Sequence, residues 1–179
     1  ISDLWSLNGE SGNSWHQAAI TIASSTLFRI VFEATVGRNH LGDIAVDDVS
    51  FSLGSCPSAP QTAAHHQGDC NFETDECGWS NVGSRELMDD IDWSRVPAEN
   101  SRQQPPLKDH TTFTGKGYVM MPMRSTVQRP GDRAWLVSRP FNVTSADNRC
   151  LTFWYFMNEP IIDPAGPSLG SLRVYVNVA

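Results

Sequence analysis

The 179-residue sequence has no basic run. Lysine occurs only at Lys108 and Lys116, and the formal net charge is −7. This charge balance argues against nucleic acid or an anionic membrane surface as a partner, whereas a cation fits it. No apolar stretch approaches the roughly 20 residues that cross a bilayer, and the first residues lack the pattern of a signal peptide. We therefore expect no nucleic-acid binding and no direct membrane insertion by this segment.

Catalytic signatures are also missing. The five histidines are scattered, and none accompanies a Gly-x-Ser-x-Gly or His-Glu-x-x-His motif. Paired carboxylates could serve a glycosidase, but carboxylates crowded around a cation make a poor acid/base pair. We predict that the chain is not an enzyme.

The four cysteines form no CxxC pair, which argues against zinc. An even number of cysteines supports two disulfides, for which three connectivities exist. Asn142 begins the N-glycosylation acceptor Asn-Val-Thr, which fits an oxidising environment. These features predict an extracellular domain, either secreted or part of the ectodomain of a membrane protein.

No window shows a sustained helical period, and strand-like alternation occurs almost throughout. In "LFRIVFEATV" (27–36) and "SLRVYVNVA" (171–179), apolar residues occupy every second position. "CLTFWYFMN" (150–158) is apolar on both faces, as expected of a central strand between two layers. The pattern predicts an all-β fold made of two antiparallel sheets packed as a sandwich.

Residues 57–69 have no periodicity and are typical of a linker. They divide the chain into a first arm (1–56) and a second arm (70–179). The chain opens without a start methionine and stops inside a strand-like run. We therefore expect it to be part of a longer protein.

The stretch "GDIAVDDVS" (42–50) puts three aspartates into a strand-like segment. Ile44 and Val46 occupy even positions, whereas Val49 and Phe51 occupy odd ones. This slip of phase predicts a β-bulge at Asp47-Asp48, which would turn one carboxylate away from the strand face.

Taken together, the motifs resemble the MAM domain, an extracellular module named after meprin, neuropilin and receptor tyrosine phosphatase mu. In the second arm the matching stretches are "CNFETDECGW" (70–79), "DIDWSRV" (90–96), "DHTTFTGKGYVMM" (109–121), "CLTFWYFM" (150–157) and "GSLRVYV" (170–176). In the first arm they are "LWSLNGESGNSWHQAAITI" (4–22) and "FEATVGRNHLGDIAVDDVSFSLGSC" (32–56). The resemblance implies a jelly-roll sandwich.

The two halves stand in the reverse of the family order. The first arm resembles the closing half of a module and the second arm its opening half. Either the chain straddles two tandem modules, or the arms pack together as one permuted module. We favour one assembled unit, formed within a chain or swapped between neighbouring chains. The resemblance then implies a Cys70–Cys77 bridge and a Cys56–Cys150 bridge.

A cation is the expected cofactor. Carboxylates converging from several loops suit Ca²⁺, which takes about 6–8 oxygen ligands, and the resemblance implies Ca²⁺ or Na⁺ near the Phe-Glu and Asp-Trp segments. The predicted ligands are Glu73, Asp75, Asp92 and Asp48, with Asp43 and Asp47 as substitutes.

The resemblance implies adhesion or assembly through protein–protein contact, with other copies of the chain or with neighbouring MAM modules. Loops on a rigid sandwich usually carry recognition. Ile161 and Ile162 are apolar residues in such a loop, and we predict that they contact a partner. The alternative is a glycan-binding module that uses the cation and exposed tryptophans.

Overall fold

The fold is all-β. The computed structural model describes residues 2–38, 42–56, 68–82, 89–101, 103, 105–122, 129–142, 148–159 and 169–178. The strands are β1 (Ser2–Asn8), β2 (His16–Ile22), β3 (Phe28–Thr35), β4 (Asp43–Leu53), β5 (Ser80–Asn81), β6 (Trp93–Pro97), β7 (Tyr118–Pro122), β8 (Arg133–Val137), β9 (Arg149–Asn158) and β10 (Ser171–Val178). A single 3-10 turn, Ala98–Asn100, is the only helical element in these ranges. None of the described helical segments is long and apolar enough to cross a membrane.

The strands form two five-stranded sheets. Sheet A has the order β1-β10-β3-β8-β5, and sheet B has the order β2-β9-β4-β7-β6. All pairings between named strands are antiparallel. The predicted fold class of two antiparallel sheets is therefore confirmed. The strand predicted to be central, β9, lies between β2 and β4.

In both sheets, each described first-arm strand pairs only with strands of the second arm. β1 and β3 of the first arm flank β10 of the second arm, and β2 and β4 flank β9. Among the described strands, no first-arm strand pairs with another first-arm strand. A lone first arm would leave every one of its strand edges without a hydrogen-bonding partner.

The main core lies between the sheets and draws on both arms. Phe28, Phe32 and Phe51 of the first arm are fully buried, as are Phe141 and Phe153 of the second. The rings of Phe32 and Phe153 meet edge to face at 4.9 Å across the two sheets. Burying such a side chain stabilises a fold by about 1.5–3 kcal/mol, so each arm depends on the other for its core.

A second, smaller core lies on the outer face of sheet B. Ala45 and Phe156 are buried there under Leu107. Leu107 belongs to a segment that crosses this face and that we call the covering loop (residues 105–117). The loop packs on these apolar side chains and shields them from water. This contact holds the loop against sheet B.

The outer face of sheet A also buries a charged side chain. Glu33 lies on the face that alternation turns away from the main core, yet it is only 3% exposed. Its carboxylate accepts hydrogen bonds from the Trp135 indole N–H (2.7 Å) and the Tyr175 hydroxyl (3.0 Å). These donors belong to β8 and β10, so tertiary pairing buries a residue that strand alternation alone would leave exposed.

Two disulfides join the pairs that the family resemblance implies. Cys56 at the end of the first arm is bonded to Cys150 in β9, 94 residues away. Cys70 is bonded to Cys77, seven positions further along the chain, which closes a segment that we call the first disulfide loop (residues 70–77). No cysteine is free.

Candidate contact site

The predicted bulge in β4 is confirmed. The register against β9 shifts between Asp47 and Ser50, and Asp48 has a φ of 46°. Val49 then exchanges two backbone hydrogen bonds of 2.7 Å with Cys70. The bulge thus turns Asp48 away from the regular strand and joins β4 to the start of the second arm.

Asp47 and Asp48 hold the covering loop. The Asp47 carboxylate accepts hydrogen bonds from the backbone N–H groups of Asp48 (2.8 Å) and His110 (2.9 Å). The Asp48 carboxylate lies 2.6 Å from the His110 Nδ1 and accepts a 2.7 Å bond from the Thr111 hydroxyl. Neighbouring carboxylates are therefore supported by donors from the loop above them.

Asp43, the first of the three aspartates in the "GDIAVDDVS" stretch, contacts a residue just before the covering loop. The side chain is 1% exposed, and its carboxylate accepts a 2.9 Å hydrogen bond from the Gln103 amide. Gln103 in turn accepts a 2.6 Å bond from the Asn158 amide at the end of β9. Each of the three aspartates in the "GDIAVDDVS" stretch thus has protein donors.

Burial changes the titration of Asp47. Desolvation, aided by the charge of Asp48, raises the pKa of Asp47 to about 8. The N–H donors of His110 and Asp48 act in the opposite direction. The Asp47 carboxyl is therefore mostly protonated at neutral pH in the folded chain.

Asp109 organises the tip of the covering loop. It is fully buried and accepts hydrogen bonds from the backbone N–H and hydroxyl of Thr112 and from the N–H of Thr114. Gly117 leaves room for this carboxylate, because a Cβ there would lie 2.2 Å from Asp109. The sequence pattern alone did not identify the buried Asp109 carboxylate as the organiser of this loop.

The loop tip presents an aromatic side chain to solvent. Phe113 is 65% exposed and has a φ of 57°, a left-handed conformation that costs about 1–2 kcal/mol for a residue with a Cβ. Its ring lies 5.5 Å from the His110 ring, which stacks on Trp154 at 3.8 Å. The aromatic tip is thus supported down to β9, an interior strand of sheet B.

A further tryptophan holds the loop from the side. Trp15, between β1 and β2, packs on Phe156 and donates its indole N–H to the Lys108 carbonyl at 2.8 Å. The covering loop is therefore held by both arms. Trp15 and Asp48 belong to the first arm, and Trp154 belongs to the second.

The other predicted cation ligands lie elsewhere. The Glu73 carboxylate accepts the backbone N–H of Tyr118 (2.9 Å), and the Asp75 carboxylate accepts that of Cys77 (2.7 Å). Asp92 is exposed just before β6. Within the described ranges, no three His, Cys, Asp or Glu side chains form a group that could hold a metal ion. The described side chains therefore do not bring the predicted ligands together in one group, and the metal site stays a prediction.

A cleft of about 430 Å³ opens between β5 and β6 at one edge of the sandwich. Its walls include Trp79, Trp93 and Leu136, and its only carboxyl is that of Glu76. No second acid and no histidine is among its described lining residues, so it offers no acid/base pair.

Two further predictions concern loop residues. Asn142, the glycosylation acceptor, is exposed. Ile161 and Ile162 lie outside the described residues, so their partner contact stays a prediction.

Comparison with known proteins agrees with this architecture. The profile of the MAM domain family (meprin/A5/mu) matches residues 2–57 and 70–179. MAM domain-containing protein 2 of Homo sapiens is 32% identical over 175 residues, which cover 97% of this chain and 23% of that protein. Thyroid hormone-induced protein B of Xenopus laevis is 31% identical, with the same coverage. No solved structure matches the chain.

A shorter match has a higher sequence identity. MAM domain-containing glycosylphosphatidylinositol anchor protein 1 of Homo sapiens is 51% identical over 53 residues, or 30% of this chain and 6% of that protein. The chain thus spans about a quarter or less of these relatives. The match to the family profile in both arms, on a sandwich built from both, shows that this chain belongs to the MAM domain family.

Proposed function

We propose that this chain is a non-catalytic extracellular module that mediates protein–protein contact, including contact between copies of itself. Its family consists of adhesion-type modules, and its two disulfides suit an oxidising environment. Because the chain spans only part of its relatives, this proposal concerns the module and not a whole protein.

The observation that carries the proposal is the exposed aromatic tip of the covering loop. Phe113 makes little use of its apolar surface in folding, since it is 65% exposed. The loop nevertheless holds it in a strained conformation through Asp109. Aromatic side chains that are rigidly presented are typical anchors of protein interfaces, and strained backbone concentrates at functional sites.

A bead-aggregation assay tests this contact. Beads coated with the chain are expected to cluster, and Phe113→Ser is expected to slow clustering roughly five- to thirty-fold, as loss of an interface anchor worth about 1–2 kcal/mol predicts. Leu53→Ser is the matched control, because Leu53 is also 65% exposed but lies at the end of β4.

Clustering that is equally fast for Phe113→Ser and Leu53→Ser would remove Phe113 from the interface. Beads coated with folded wild-type chain that never cluster would contradict contact between copies. Circular dichroism of each variant establishes that the coated protein is folded.

We also propose that residues 1–56 and 70–179 are the two halves of one module in permuted order, joined by the 57–69 segment. The pairing of each described first-arm strand with second-arm strands in both sheets supports this organisation. In a longer chain, the same pairing could join halves from neighbouring chains into a tandem array.

Glycan binding is the second proposal, and the aromatic surface offers it limited support. Trp154 lies on the outer face of sheet B, but His110 covers one face of its ring at 3.8 Å. Trp79, Trp93 and Trp135 are buried. A glycan array probed with and without chelator separates this function from protein contact.

A further inference from the structure

The first disulfide loop directs two adjacent carbonyl oxygens at one cationic group. The guanidinium of Arg95, in β6, donates to the Phe72 carbonyl through Nε at 2.5 Å and to the Glu73 carbonyl through Nη2 at 2.6 Å. Phe72 is fully buried and has a φ of 57°, which turns the backbone at this point. Backbone carbonyl oxygens are also among the ligands that a hard metal cation takes.

The guanidinium is fixed in this position by a third element. The Arg95 guanidinium carbon lies 3.6 Å from the centre of the Tyr118 ring, a close cation–π contact. The backbone N–H of the same Tyr118 donates to the Glu73 carboxylate at 2.9 Å. Arg95, Glu73 and Tyr118 therefore tie the first disulfide loop to β6 and to the first residue of β7.

This arrangement conflicts with a metal ion at the Phe-Glu segment. The guanidinium stays charged at any physiological pH, so a cation on the same carbonyls would be repelled by it at short range. The carboxylate of Asp75 already accepts the Cys77 N–H, and Asp92 is exposed.

We infer that the Arg95 guanidinium replaces a metal ion at the first disulfide loop, so that this loop is ordered without Ca²⁺ or Na⁺. The inference does not depend on which partner the module contacts. It assigns to Arg95 a positioning role, because Arg95 sets the loop against the β6–β7 hairpin from which the covering loop emerges.

Hydrogen exchange of the full chain, followed by mass spectrometry on peptides covering residues 70–78, tests the inference. The wild type is expected to exchange equally in millimolar CaCl₂, in NaCl with EDTA, and in choline chloride with EDTA. Arg95→Met is expected to exchange roughly tenfold faster or more, because it loses two hydrogen bonds from a charged donor. Arg95→Lys keeps the charge but loses the paired Nε and Nη2 donors of the guanidinium. Its exchange rate is expected to lie between those of the wild type and Arg95→Met.

Arg29→Met is the matched control, since Arg29 is an exposed arginine in β3, and it is expected to leave the loop unchanged. Faster exchange of the wild-type loop when Ca²⁺ or Na⁺ is removed would overturn the inference. So would an Arg95→Met loop that exchanges no faster than the Arg29→Met loop. If Arg95→Met does not fold, Arg95→Lys and the wild-type cation series decide the question.

Discussion

Replacing Cys56 and Cys150 together with serine is expected to lower the free energy of unfolding by about 4–5 kcal/mol. The chain-entropy estimate gives this value for a bridge that spans nearly 100 residues, and Cys56 and Cys150 are 94 residues apart. The double replacement of Cys70 and Cys77 is the matched control. It removes a bridge between cysteines that are seven positions apart and is expected to lower the free energy of unfolding by about 2–3 kcal/mol.

Urea denaturation with a tryptophan fluorescence readout measures both losses. The larger loss at Cys56–Cys150 is expected because this bridge joins the two arms at the edge of the β4–β9 pairing, whereas the other closes a local loop. Equal losses, or a larger loss at Cys70–Cys77, would show that the long bridge does not restrain the arms as described.

The stability of the chain is expected to fall as the pH rises from about 4 to 8, through the titration of Asp47. The pKa of Asp47 is about 8 in the folded chain, against an ordinary value of 3.8, so the folded state holds this proton more tightly than the unfolded state. Between these values each pH unit lowers the free energy of unfolding by up to about 1.4 kcal/mol.

Asp47→Asn isolates this contribution, because the variant cannot titrate at that position. His110, Asp48 and Asp109 also face this carboxyl, so the quantity to compare is the difference between wild type and variant. Denaturation at pH 5 and pH 8 is expected to show at least about 2 kcal/mol more loss in the wild type.

The sign of this pH dependence also separates burial from metal binding. A bound cation favours the charged carboxylate and would lower the pKa of Asp47, so the contribution of Asp47 to stability would rise with pH. A wild type whose stability does not fall relative to Asp47→Asn between pH 5 and 8 would contradict a protonated Asp47.

Strand positions could be predicted because they depend on local alternation. The slip of phase between Val46 and Val49 predicted the bulge, and the two apolar faces of "CLTFWYFMN" predicted that β9 lies between two other strands. Both signals arise because a strand places successive side chains on opposite faces, so they can be detected without knowledge of the partner strands.

The partners of the acidic side chains could not be predicted in the same way. Asp43 is held by Gln103, 60 residues away along the chain, and Glu33 is buried by donors from β8 and β10. A cluster of carboxylates in a sequence indicates that counter-donors must exist. It does not distinguish backbone N–H groups or a guanidinium from a metal ion.

The central claim is that residues from both arms of one chain complete a single sandwich. Non-reducing peptide mapping of the whole oxidised protein, refolded from a mixture of ¹⁵N-labelled and unlabelled reduced chains, tests it most directly. We predict a Cys56–Cys150 peptide pair whose two halves always carry the same label. Free thiols at both cysteines, or pairs that mix labelled with unlabelled halves, would contradict the claim.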